Sequence, residues 1–266
     1  MLTMVPHSGD PSLLSGRRGE LPKNYIILFK SPLVLNKYKL IVGCPFNNAL
    51  DYKENLSSFF VIIDRRNSKV IEVETDNFVC LHSINAYEAS NELILDLICH
   101  ALGNPYDKLY LTNILSPNPS LPLGEIRRYT INLKTKIVNK VIVSSYNHEF
   151  PRINYNLCNG SNYQYAYSVY ISNPKAKFFN AIHKLNTKTG VQQTWEKNNY
   201  YLGEAVFIPK PDSKLEDAGV LLSIGFDMIT KLSSMLIIDA LSMQQLAEIY
   251  LPIHLPFGLH GEFYQI

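Results

Sequence analysis

Short runs of β-branched and aromatic residues, cut by Asn, Asp, Gly and Pro, dominate the chain from "NYIILF" onward. This is the pattern of many short strands, because a strand buries alternate side chains and ends where the backbone has to turn. Apolar residues at helical spacing are nearly absent, so the pattern predicts an all-β fold. Residues 1–22 differ, being rich in Ser, Gly, Pro and Arg with no apolar period. They read as a disordered leader, with residues 23–266 as the folded part.

Four segments repeat one arrangement: an apolar strand, an Asp or Asn, a short polar turn and a second strand. They are "FFVIIDRRNSKVIEV", "YTINLKTKIVNKVIV", "AIHKLNTKTGVQQTW" and "MLIIDALSMQQLAEIYL". Their markers, Asp64, Asn132, Asn186 and Asp239, lie 68, 54 and 53 residues apart. Hairpin units with insertions of varying length fit this spacing, since propeller blades run to roughly 40–50 residues before insertions. A sandwich of unrelated hairpins is the other architecture the repeat allows. Two insertions, "SPNPSLPLGEI" and "YNHEFPRINYNLCNGSNYQYAYS", are too irregular for blade strands, and long loops on a rigid scaffold are where binding sites sit.

Composition narrows the function classes. The 266 residues are enough for one large domain or two small ones. With 25 basic and 23 acidic residues the net charge is +2, which makes no electrostatic case for nucleic acid. Cys44, Cys80, Cys99 and Cys158 form no CxxC pair, so neither a zinc knuckle nor a dense disulfide framework is indicated, and a cytoplasmic protein is expected. No stretch approaches the ~18 apolar residues of a membrane helix, which leaves peripheral contact as the one expected association with membranes.

His260 stands in the apolar closing stretch "LPFGLHGEFYQI". Alone, such a histidine is most often a core residue held by backbone partners. It is not alone, because "CLHSINAYE", "HEFPRINY" and "GEAVFIPKPDSKLEDAGVLLS" precede it. In this order and at these separations the four segments closely resemble the C-terminal half of the carotenoid cleavage oxygenase family, which includes the β-carotene oxygenases and the retinal pigment epithelium isomerase. The resemblance runs from about Asn24 to Phe263.

It implies part of a seven-bladed β-propeller with capping loops, an apolar tunnel, and Fe(2+) held on the axis by four histidines from inner strands. Carried over by motif, His82 and His260 are metal ligands. Glu149 and Glu204 are implied to receive the ring N–H of ligating histidines, the partner that fixes a metal-bound imidazole's tautomer. Neutral imidazole suits iron, and Gly258 and Gly261 would let the backbone of His260 approach a crowded axis. Arg152 and Asn154 are expected to pin the loop presenting Glu149. Tyr163, Tyr165 and Tyr167 are read as a packing stripe. Glu88 and the histidines at 100, 148, 183 and 254 are expected to be structural.

The implied reaction is iron(II)-dependent oxidative cleavage, by dioxygen, of a conjugated double bond in a carotenoid or apocarotenoid, with no catalytic group beyond the metal site. The family also includes an isomerase, and these residues do not separate the two reactions. Only two of the four iron histidines have counterparts, and "SGRRGEL" holds none. The expectation is therefore an N-terminally truncated chain of weak or no turnover. The alternative is an inactive remnant or gene-model fragment that at most binds an apolar ligand or a homologous chain.

Overall fold

The computed structural model describes residues 2–5, 24–100, 103–173, 176–256 and 258–264. The chain divides into two compact units, Met1–Ser145 and Tyr146–Ile266. The first holds strands β1 (Leu2–Val5), β2 (Tyr25–Lys30), β3 (Leu33–Leu35), β4 (Leu50–Tyr52), β5 (Ser58–Asp64), β6 (Val70–Thr75), β7 (Val79–Ala89), β8 (Glu92–His100) and β9 (Gly124–Asn132). Strand β10 (Val138–Arg152) runs through the boundary. The second holds β11 (Tyr165–Tyr170), β12 (Ala181–Asn186), β13 (Gln192–Glu196), β14 (Tyr200–Leu202), β15 (Val206–Pro209), β16 (Gly219–Asp227), β17 (Ser233–Asp239) and β18 (Gln245–Tyr250). Helices among the described residues are single turns, and none is long and apolar enough to cross a membrane.

In the first unit β1–β2–β5–β6 form one antiparallel sheet and β7–β8–β9 a meander. Their facing sides close on Ile27, Phe29, Phe60, Ile62, Phe78, Leu95, Leu97 and Tyr129, all buried. Phe78 is the centre of this core, stacked at 4.1 Å on Phe29 and at 5.2 Å on Tyr129. Burying rings of this size is the main stabilising contribution open to such a unit. In the second unit the end of β10 continues into β11–β12–β13, and β14–β16–β17–β18 form a further antiparallel sheet with β15 also on β16.

The four repeat markers each open a hairpin turn of one geometry. The marker's N–H donates to the carbonyl five residues on, at Lys69, Ile137, Val191 and Gln244. Its own carbonyl accepts from Ser68, Lys136, Gly190 and Met243, each with positive φ. Its side-chain oxygen accepts the N–H of Arg66, of Lys134 and Thr135, of Lys188 and Thr189, and of Ser242. A short acceptor side chain is what such a turn requires, because it takes amides that the strand ladder has released. Asp227 makes a fifth turn of this kind, with Lys231 at positive φ and Ile229 donating to its carboxylate. The repeat text does not show that one.

Within the segment expected to be a disordered leader, Leu2–Val5 is strand β1, pairing from Leu2 with Lys30 to Val5 with Ile27. The free edge of β2 supplies the ladder, and four residues are too few for an apolar period to appear in the text. The remaining leader residues, 1 and 6–22, lie outside the described residues.

Candidate functional site

Strand β10 reaches the site through a break in its own regularity. Glu149 pairs with Val169 and Arg152 with Tyr167, so β10 advances by three residues where β11 advances by two. The extra residue is a β-bulge, and Phe150 within it has φ of +50°. A left-handed aromatic residue is strained, and such strain persists where the surroundings hold it. The bulge also changes parity. Glu149 and Arg152, three apart and on opposite faces of a regular strand, come to share one face. Both are buried.

From the other side, β14 ends at Leu202 and Gly203 docks on β16. Its N–H donates to Ile224 at 2.9 Å, and its carbonyl accepts from the Ser223 hydroxyl at 2.9 Å. A Cβ on Gly203 would lie 3.3 Å from the Ile224 carbonyl oxygen, so a larger residue would push the next one out of place. The next residue is Glu204. Its carboxylate accepts from Arg152 Nε at 2.9 Å and Nη2 at 3.0 Å, and from the Gly261 N–H at 2.7 Å. His260 Nδ1 lies 3.0 Å from the same carboxylate.

Burial alone would raise the pKa of Glu204, but the His260 ring, the Arg152 guanidinium and the Gly261 amide outweigh it and hold the carboxyl below its ordinary value. An ionised carboxylate only accepts hydrogen bonds, so Nδ1 of His260 is the nitrogen that donates in this contact. The Phe150 ring meets the imidazole edge-on at 5.6 Å, and Phe179 backs Phe150 at 6.0 Å.

His260 does not project from a strand, contrary to the expectation. Residues 258–264 form an irregular strap. The reason is in its backbone bonding: the Gly261 N–H goes to Glu204 and its carbonyl to Arg152, so no strand partner takes them. Gly261 is needed for close approach, with Val206 3.3 Å from where a Cβ would be, whereas Gly258 has open space around it.

His82 belongs to the other unit. It lies in β7 where that strand is bulged: Cys80 pairs with Cys99, Ser83 with Leu97 and Asn85 with Asp96, so β7 gains a residue on either side of Ser83. Bulges re-aim side chains, and His82 is half-buried there, its carbonyl accepting from the Cys80 thiol. Among the described residues no group of three or more His, Cys, Asp or Glu is arranged to hold a metal. Of the four residues singled out from the sequence, the structure joins Glu204 and His260 directly. Glu149 is buried on β10, on the face it shares with Arg152.

The sequence reading missed two features. Arg152, expected to pin the loop presenting Glu149, also ties Glu204 to the strap through its guanidinium. His148 and His183, expected to be structural, are buried with rings 4.7 Å apart, bonded to Ser168 and Gln192 respectively. Burial is the main cause that depresses their pKa values, to about 3 and about 4. Their positions on β10 and β12, opposite Tyr170 and Ser168 of β11, could have been read only with the register in hand. Glu88 is structural as expected, holding the backbone and side chain of Asn24. His254 is exposed.

A protein-family model described as retinal pigment epithelial membrane protein matches residues 21–265. A Galleria mellonella protein named carotenoid isomerooxygenase is 28% identical over 262 residues, covering 91% of this chain and 51% of its own length. The human protein named carotenoid-cleaving dioxygenase, mitochondrial, is 25% identical over 293 residues, covering 92% of this chain and 50% of its own. The structure of cobalt-substituted Synechocystis ACO superposes with a TM-score of 0.83 at 23% identity, over 92% of this chain and 52% of that one. That likeness is one of fold, a β-propeller matched over half of its length. The chain spans about half the length of the curated relatives it matches.

Proposed function

This chain belongs to the retinal pigment epithelial membrane protein family of carotenoid oxygenases, and from that premise we propose that it forms part of a non-haem iron(II) dioxygenase cleaving a conjugated double bond of a carotenoid or apocarotenoid. The observation that carries the proposal is the bond from His260 Nδ1 to buried Glu204. A metal-bound imidazole usually donates its second ring N–H to a carboxylate, carbonyl or water, and the His260–Glu204 pair has that form. On this reading His260 and His82 are the imidazoles proposed to ligate iron, with Glu204 orienting the first through Nδ1. Glu149, buried on β10, is the carboxylate proposed to hold the ring N–H of another ligand.

Iron(II), when bound, would supply activation of dioxygen for its addition across the double bond, which would give two carbonyl products. The chain's own part is to position and to exclude water. Glu204 and Arg152 keep the imidazole oriented, and Phe150 and Phe179 present an apolar wall beside it. No side chain has to move a proton for the main chemistry.

The test is anaerobic iron(II) titration of the full chain, followed by exposure to dioxygen and an apocarotenoid with detection of aldehyde products. Glu204→Gln should weaken iron binding by about 10–100-fold, as loss of such a carboxylate does elsewhere. His260→Ala and His82→Ala should weaken it further. Equal iron binding by the wild type and both alanine variants would remove the proposal.

A further inference from the structure

Arg152 is a buried arginine whose whole fork is engaged. Nε and Nη2 take the two oxygens of Glu204, Nη2 also donates to the Gly261 carbonyl, and Nη1 lies 3.6 Å from Glu262. Both the guanidinium and the Glu204 carboxylate are 5% exposed. Together they form a plate that holds one residue of the strap by both of its backbone groups, since Glu204 accepts the Gly261 N–H while Arg152 donates to the Gly261 C=O. The plate engages the residue next to His260.

We propose that Arg152 is the positioning residue for His260: its guanidinium locks Glu204 to the backbone of Gly261, and this fixes both the imidazole's tautomer and the path of the strap. The inference rests on the reading of His260 as a metal ligand for its purpose, but not for its geometry. Charge alone is insufficient for this role. A lysine supplies one compact cation, whereas the planar guanidinium supplies parallel donors to the carboxylate and a further donor to the carbonyl. Without the fork, Glu204 loses two of the donors that orient it, and the Gly261 carbonyl loses its Arg152 donor. Residues 258–264 form no strand, and both backbone groups of Gly261 are bonded to side chains of this plate. The bulge at Phe150 now has a reason, since without the parity change Arg152 would leave the face it shares with Glu149.

The test uses the full metal-free chain as wild type, Arg152→Lys and Arg152→Gln. Three quantities are read: hydrogen exchange at the Gly261 amide, the His260 tautomer from ring nitrogen chemical shifts, and the affinity for cobalt(II). Exchange at Leu221 and Ile238, paired in β16 and β17, serves as the control for folding. Both variants should exchange Gly261 at least about tenfold faster with the control amides unchanged. His260 should lose its excess of the Nδ1–H form, and cobalt(II) affinity should fall about tenfold or more. Lys should recover part of the affinity and none of the Gly261 protection. A Gln variant that fails to fold leaves the Lys variant to decide. Unchanged tautomer and exchange in a folded variant overturn the inference, even if the wild type binds cobalt. Altered tautomer and exchange in a chain that binds no metal uphold the clamp and remove the iron reading instead.

Discussion

Each of the two units closes on a different kind of burial. The first closes on rings and aliphatic chains, with Phe29, Phe60, Phe78 and Tyr129 fully buried, and its charges gather mostly at the margin, as where Asp76 meets Arg127 and Lys140. Asp96 is an exception, buried and paired with a partly exposed Arg128. The second unit takes charge inside. Arg152 with Glu204 and Lys184 with Asp217 are ion pairs with both partners nearly inaccessible, and His148 and His183 are buried beside one another. Apolar burial is non-directional and stabilises in proportion to area. A buried ion pair returns little net stability, since desolvation offsets most of the attraction, but it sets geometry sharply. The difference teaches that the second unit accepts a cost for orientation, and that Arg152 with Glu204 does so at the strap that carries His260. Sequences break local rules at such places and keep them elsewhere.

Three changes would break or sharpen that contrast. The largest effect belongs to the first unit, where Phe78→Ala empties the centre of the aromatic stack and should cost about 3–5 kcal/mol in urea unfolding. A loss below about 1 kcal/mol would mean that the stack is not what holds this unit.

Next comes acid. His148 and His183 have folded pKa values of about 3 and about 4, below the ordinary 6.5. The unfolded chain therefore binds protons first, at pH near 6.5. Stability should be intact above about pH 6.5 and should decline as pH falls through 6.5 toward 4 and then 3. By linkage, His183→Gln should flatten the fall in stability between pH 7 and 4 by a few kcal/mol. Thermal unfolding midpoints with the same pH slope in variant and wild type would refute this.

The smallest effect tests what the units share. The turn at Asn132 in the first unit and that at Asn186 in the second have the same bonds, each asparagine accepting from two backbone amides. Asn132→Ala and Asn186→Ala should each cost about 1 kcal/mol. Costs differing by more than about that amount would show that turn strength depends on the unit carrying it.

Part of this was legible without coordinates. The four hairpins could be read because a turn acts over six residues, and an Asp or Asn after an apolar run satisfies it locally. The turn at Asp227 escaped because the residues after it, Met228 and Ile229, are apolar and hide the polar signature. His260 and Glu204 were legible as members of quoted motifs, 56 residues apart, although their contact was not visible as such. The contact of Arg152 with Glu204 was not legible because the sequence counts residues at even pace, while the bulge at Phe150 adds one to its strand. The strap defeated the expectation of an inner strand for the same kind of reason, its backbone bonds being made by side chains distant in sequence.

By itself, then, the order of residues determined what short stretches can settle: an all-β chain, the positions of its hairpins, and the residue types able to hold a metal. Tertiary structure alone decided which face each side chain takes, since one inserted residue reverses the alternation of a strand. It alone also placed Arg152, Glu204 and Gly261 together, because hydrogen bonds of about 3 Å discriminate by position in space, and positions in space are set by strand register.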